Sequence, residues 1–91
     1  MKPDHHIELT GEYDIARKGE LSAAFAAVAN GQPVTIDMRQ VSYVDSTFLG
    51  ELAAMRIRPI ERTVTLVGVQ PNVARILRIA KLDRFFGFRD S

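Results

Sequence analysis

The chain has 91 residues, of which 46% are hydrophobic and 25% are charged, as in an ordinary soluble globular protein. This length predicts a single domain over residues 1–91, because one hydrophobic core usually serves about 100–150 residues. Twelve basic and eleven acidic side chains give a net charge of +1, which argues against direct nucleic-acid binding. Cysteine is absent, which excludes disulfides, thiolate metal sites and a cysteine nucleophile.

The N-terminal residues lead into no apolar signal sequence, and no run approaches the roughly 18 apolar residues of a membrane span. We therefore expect a cytoplasmic protein with no direct membrane insertion. A cytoplasmic subunit of a membrane complex would have the same sequence character.

The first half of the chain predicts two strands separated by a helix. Residues 7–10 alternate apolar and polar side chains like a half-buried strand, and residues 11–14 break the pattern. Asp14 is an N-cap residue type at the start of a predicted helix over 15–29, and Asn30-Gly31 supplies a left-handed stop. A second strand is expected at 34–38. The apolar face of the helix comprises Leu21, Ala24, Phe25 and Val28.

The second half predicts a loop at 39–44, a helix over 47–57, a strand over 63–69 and a further helix from Pro71. Arg58-Pro59 is expected to end the earlier of these helices, because proline disfavours a helical residue before it. The side chains expected to face inward are Phe48, Leu49, Leu52 and Ala53, then Val73, Ile76, Leu77 and Ala80. Phe85, Phe86 and Phe88 fit a short last strand or a packed tail. This alternation predicts an α/β fold with a mostly parallel sheet and right-handed crossovers.

The sequence contains no recognisable catalytic constellation, so we expect no enzyme and no cofactor. His5 and His6, the only histidines, lie near the N-terminus and amount to two ligands, too few for a complete metal site. No phosphate-binding glycine motif is present. A small hydrolase with Ser46 as nucleophile is disfavoured, because no base lies near it in the sequence.

Basic side chains recur every third residue on the last helix, at Arg75, Arg78 and Lys81. They either bind an acidic partner or phosphate, or form the solvated outer face of an amphipathic helix. The second interpretation is favoured, because a helix with one apolar face needs a polar face opposite.

Asp45-Ser46-Thr47 place a carboxylate and two hydroxyls at the junction of a loop and a helix. The simplest interpretation is helix capping. The functional alternative is a hydroxyl that is reversibly phosphorylated. Phosphate would add a charge of about −1.5 to −2 beside Asp45, and the positive helix end would tolerate it.

Several short segments, in order and spacing, resemble the STAS domain of bacterial anti-sigma-factor antagonists. They are GEYD at 11–14, VTIDM at 34–38, VSYVDST at 41–47, LG at 49–50, VTLVGV at 64–69 and PNV at 71–73. The resemblance covers about residues 7–88. It implies a sheet of about four strands with helices packed against one side.

The resemblance also implies a function. In stand-alone members, an anti-sigma factor that is also a serine kinase of the GHKL type phosphorylates a residue at the start of the second helix. The unmodified antagonist binds the anti-sigma factor and releases the sigma factor; a phosphatase reverses the modification. By position, Ser46 is the phosphoacceptor and Thr47 the backup. The partner-binding residues implied are Asp14, Asp45, Ser46, Thr47, Phe48, Gly50 and Glu51.

This chain departs from the family pattern in ways that keep a second function open. Phe48 stands where many members have glycine, and it either contacts a partner or fills the core. The chain is also short at both ends, and the connection over residues 58–62 is brief. The alternative is a regulatory STAS subunit of a membrane transporter, with the ATPase of an ABC-type lipid-transport complex as its partner.

Overall fold

The computed structural model describes residues 4–29, 31–57 and 61–90. Strands and helices alternate along the described chain, which confirms the predicted α/β order. The elements are β1 (His5–Tyr13), α1 (Lys18–Ala26), β2 (Val34–Val44), α2 (Ser46–Ile57), β3 (Val64–Val67), α3 (Pro71–Ile79) and β4 (Gly87–Arg89). Two 3₁₀ turns, Ile15–Arg17 and Asp83–Phe85, precede α1 and β4.

The four strands form one sheet in the order β1-β2-β3-β4, and every neighbouring pair is parallel. Each new strand is added on the same side of the one before it, so right-handed crossovers place all three helices on one face. This confirms the one-sided arrangement. The topology also brings every connection from a strand to the next helix to the carboxyl edge of the sheet.

The core lies between the sheet and its helices. Buried side chains come from Ile7, Leu9, Val34, Ile36, Met38, Val64 and Leu66 on the strands, and from Leu21, Phe25, Phe48, Leu52, Met55, Val73 and Leu77 on the helices. Polar residues alternate with them on β1 and β2, where Glu8 pairs in register with Asp37. Arg39 forms an ion pair with Asp37 at 2.5 Å, and its hydrogen bonds lower the pKa of that carboxyl.

Two strands are longer than predicted. Residues 11–13, expected to break the first strand, belong to β1, and residues 39–44, expected to form a loop, belong to β2. These segments pair with each other, and the register shifts twice along the pair. Gly11 lies at one shift with φ +86°. Such bulges interrupt the alternation of apolar and polar residues, so periodicity could not detect the pairing.

The ends of the other elements also differ from the prediction. The α1 helix begins after a 3₁₀ turn and ends at Ala26, three residues before the predicted end; Gly31 has the expected left-handed φ of +74°. β3 is shorter than 63–69. Ala80 caps α3 and is exposed rather than inward-facing. Asn30 and Arg58-Pro59 lie outside the described residues.

Candidate functional site

The start of α2 is capped and anchored to the neighbouring strand. The Asp45 Oδ1 atom accepts hydrogen bonds from the backbone N–H groups of Thr47 at 2.9 Å and Phe48 at 3.1 Å. The backbone N–H of Asp45 donates to the carbonyl oxygen of Tyr13 at 3.2 Å. The capping interpretation is therefore confirmed, and the N-terminus of α2 is held beside the end of β1.

Ser46 is the first residue of α2, and its side chain is exposed. Within the described part of the chain, its hydroxyl has no hydrogen-bond partner, so neither burial nor a bond hinders access to it. Thr47 is half-buried, so its hydroxyl is less accessible. A negative group on Ser46 would lie at the positive end of a 12-residue helix.

Phe48 lies in the core with only 1% of its surface exposed. Its ring centroid is 5.5 Å from that of Tyr13, with the planes tilted by 50°, a favourable arrangement for an aromatic pair. Of the two roles left open by the sequence, the structure therefore supports the core role. The assignment of Phe48 as a partner-binding residue is corrected accordingly, because a buried ring cannot meet another protein without local unfolding.

The Arg17 side chain, in the turn that follows β1, also contacts the end of that strand. Its guanidinium lies 3.9 Å from the centre of the Tyr13 ring and donates to the carbonyl oxygen of Thr10 at 2.6 Å. It also forms an ion pair with Glu20 at 2.5 Å, and its hydrogen bond lowers the pKa of that carboxyl. Sequence reasoning missed these contacts, because they join a strand to the turn that follows it and leave no periodic pattern in the sequence.

A shallow depression adjoins Ser46. It is lined by Lys18, Ser46, Thr47, Gly50 and Glu51. Gly50 is exposed with open space around it, whereas the Glu51 carboxylate accepts a hydrogen bond from the Ser22 hydroxyl and so ties α2 to α1. The structure thus brings four predicted site residues to one surface and adds Lys18, which no sequence motif marked.

Asp14 lies at the same edge of the sheet, directly after β1. Its Oδ1 atom accepts from the Ala16 N–H at 3.0 Å, which confirms the predicted N-cap, although the element capped is the 3₁₀ turn before α1. The carbonyl oxygen of Tyr13, the residue before Asp14, accepts a hydrogen bond from the Asp45 N–H. The 3₁₀ turn and the start of α2 are therefore adjacent. The carboxylate remains exposed at this edge of the sheet.

The described residues contain no group of three or more His, Asp or Glu that could hold a metal ion. His5 and His6 are the first two residues of β1, and successive strand residues point to opposite faces of the sheet. No helix among the described residues has the length and apolar character needed to cross a membrane.

Replacing Asp45 with alanine should lower the free energy of unfolding by about 1–2 kcal/mol, because two helix N–H groups lose their acceptor. Urea denaturation followed by circular dichroism measures this change. Asp14→Ala is the matched control and should cost less, since Asp14 caps only a short exposed turn. An equal loss in both variants would contradict the anchoring role of Asp45.

These features define a small α/β domain whose helices cover one face of a parallel sheet and whose second helix begins with a capped turn and an exposed hydroxyl. The family model described as "Mlab, STAS domain" matches residues 2–88. The chain therefore belongs to the STAS domain family.

Solved structures share this fold. A sulfate transporter family protein from Wolinella succinogenes superposes with a TM-score of 0.78 and 15% identity, covering 98% of this chain and 80% of that one. An anti-sigma-factor antagonist (STAS) domain protein from Planctomyces limnophilus has a TM-score of 0.73 and 20% identity, covering 94% and 81%. At these identities the likeness shows the fold alone. No curated protein matches the chain.

Proposed function

We propose that this chain is an anti-sigma-factor antagonist, a cytoplasmic and non-enzymatic switch controlled by phosphorylation of Ser46, with Thr47 as the backup acceptor. The observation that carries the proposal is the exposed, unbonded hydroxyl at the first residue of a rigidly capped helix. A kinase can reach such a hydroxyl without unfolding the domain.

The unmodified surface formed by Asp14, Asp45, Ser46, Thr47, Gly50 and Glu51 binds the anti-sigma factor, a serine kinase of the GHKL type, and frees the sigma factor. The kinase transfers the γ-phosphoryl group of ATP to the Ser46 oxygen, releasing ADP and the hydroxyl proton. The phosphate adds a charge of about −1.5 to −2 at a surface that already carries three carboxylates. The charge and size of the phosphate prevent binding of the anti-sigma factor. A phosphatase removes the phosphate and restores binding.

A non-enzymatic role is also supported by the placement of the histidines. His5 and His6 begin β1, at the amino edge of the sheet, whereas Ser46 follows the carboxyl end of β2. A nine-residue strand spans roughly 30 Å, so neither imidazole adjoins Ser46 to act as its base.

A second candidate function is that of a STAS subunit of a membrane transporter. It is suggested by the similar protein from Wolinella succinogenes, which is described as a sulfate transporter family protein. In this case the surface around Ser46 is a permanent interface with a transporter ATPase, such as that of an ABC-type lipid-transport complex, and needs no phosphorylation.

Affinity purification from the source cells distinguishes these two functions. We expect wild-type protein and Ser46→Ala to recover a kinase-like anti-sigma factor, identified by mass spectrometry, and Ser46→Asp to lose it. Recovery of a transporter ATPase by all three proteins, with Ser46 unmodified, would contradict the switch and support the second function.

A further inference from the structure

Four cationic side chains form an exposed surface that the proposed switch does not use. We call this set the basic surface; it comprises Arg75 and Arg78 on α3, Lys81 just after it, and Arg84 in the following 3₁₀ turn. Among the described residues, none of the four forms an ion pair. The near-zero net charge of the chain therefore conceals a local excess of positive charge.

The charges of the chain are segregated by position. Residues 71–90 carry five basic and two acidic side chains, whereas the rest carries seven basic and nine acidic ones. An amphipathic helix needs only a polar outer face, which a mixture of charges would supply. The excess of positive charge on this face needs another explanation.

Lys81 occupies a position where glycine would be easier to accommodate. The Leu82 N–H donates to the Leu77 carbonyl oxygen at 2.9 Å and the Lys81 N–H to that of Arg78 at 3.0 Å, the hydrogen bonds of a Schellman motif. Lys81 is the left-handed residue of this motif, with φ +61°, the only described non-glycine residue with positive φ. A lysine here costs conformational free energy that glycine would avoid, which points to a use for its ammonium group.

Apolar side chains lie between the cations. Ile79 is 73% exposed, and Phe85 and Phe88 are nearly half exposed. Two open depressions share Arg78 and Asp83: one continues along Lys81, Arg84 and Phe85, and the other includes Ala74 and Phe88. Both depressions combine charged and apolar side chains, and a concave surface of this kind fits the side chains of a protein segment better than a flat bilayer does.

We propose that the basic surface docks an acidic segment of a partner protein that inserts apolar side chains beside Phe85 and Phe88. Carboxylates of the segment would pair with cations that have no partner in the described structure, and the apolar side chains would cover exposed rings. Because α3 runs from the carboxyl to the amino edge of the sheet, Lys81 and Arg84 lie away from the edge that carries Ser46. This docking surface does not depend on the proposed switch.

The test is an NMR titration of the full chain with a synthetic peptide of sequence EELFEELE, at low and at high salt. We expect amide shifts confined to α3 and the residues up to β4, weakened by salt because exposed charges are screened. The double variant Arg75→Glu/Arg78→Glu should weaken binding by at least about tenfold through charge repulsion. Lys18→Glu, which also reverses an exposed charge but lies near Ser46, should leave the titration unchanged.

Sedimentation with vesicles of phosphatidylserine and phosphatidylcholine is the second measurement. Peptide shifts on the basic surface that disappear in the double variant, without vesicle binding, would support the proposal. Vesicle binding that needs the same arginines, without peptide shifts, would overturn it in favour of a membrane. Absence of both kinds of binding, or shifts unaffected by the double variant, would also overturn it.

Discussion

Replacing Phe48 with alanine should lower the free energy of unfolding by about 3–5 kcal/mol, the usual loss for a large aromatic side chain in a core. Phe48 is 1% exposed and contacts Tyr13, so its removal leaves a cavity between α2 and the end of β1. Small domains are stable by only about 5–15 kcal/mol, so this loss removes a large share of the total stability. Urea denaturation measures the difference.

Phe85→Ala is the matched control for this prediction. The substitution is the same, but Phe85 is 46% exposed, and the Arg56 guanidinium lies 5.2 Å from its ring centre. We expect a loss of about 1 kcal/mol or less, as for most surface positions. A similarly small loss in Phe48→Ala would contradict the core role and restore Phe48 to the partner surface.

Ser46→Asp should weaken binding of the anti-sigma factor by at least about 100-fold, because a like charge placed in an interface costs several kcal/mol. The substitution should leave the fold intact and change its stability by no more than about 0.5 kcal/mol, because the side chain is exposed at a helix N-terminus. Calorimetry with the purified partner measures the affinity, and urea denaturation measures the stability.

Two control variants test whether the loss of binding depends on a negative charge placed at position 46. Ser46→Ala removes the hydroxyl without adding charge and should keep most of the affinity. Gln40→Glu adds one negative charge at an exposed position on β2 and should bind like the wild type. If Ser46→Asp bound the partner normally, or if Gln40→Glu lost binding equally, the Ser46 surface would not be the switch.

The sequence correctly predicted the helices and strands in which the periodic spacing of apolar residues is uninterrupted. The apolar spacing of α3 correctly placed Val73 and Leu77 in the core, and Pro71 correctly marked its first turn. The ends of β1 and β2 were missed because their pairing contains two register shifts, which local alternation does not reveal. Bulges depend on the partner strand, so they belong to the fold as a whole rather than to one segment.

The site was predictable where its chemistry is local. Capping residue types in a row marked the start of α2 near Ser46, and Asp45 does cap it. Contacts between distant segments were not predictable, such as Glu51 with Ser22 or Arg17 with the Tyr13 ring. The burial of Phe48 also needed the structure, because an apolar residue in the first turn of a helix fits either a core or an interface.

The central claim is that phosphorylation of Ser46 releases the anti-sigma factor. The most direct test measures phosphorylation and release in the purified complex. The complex of this chain with its anti-sigma factor is incubated with ATP, and the modification site and the bound fraction are measured together by mass spectrometry and size-exclusion chromatography. We predict phosphate on Ser46 and release of the partner, with neither event in Ser46→Ala. A partner that stays bound while Ser46 is fully phosphorylated, or that is released while Ser46 stays unmodified, would contradict the claim.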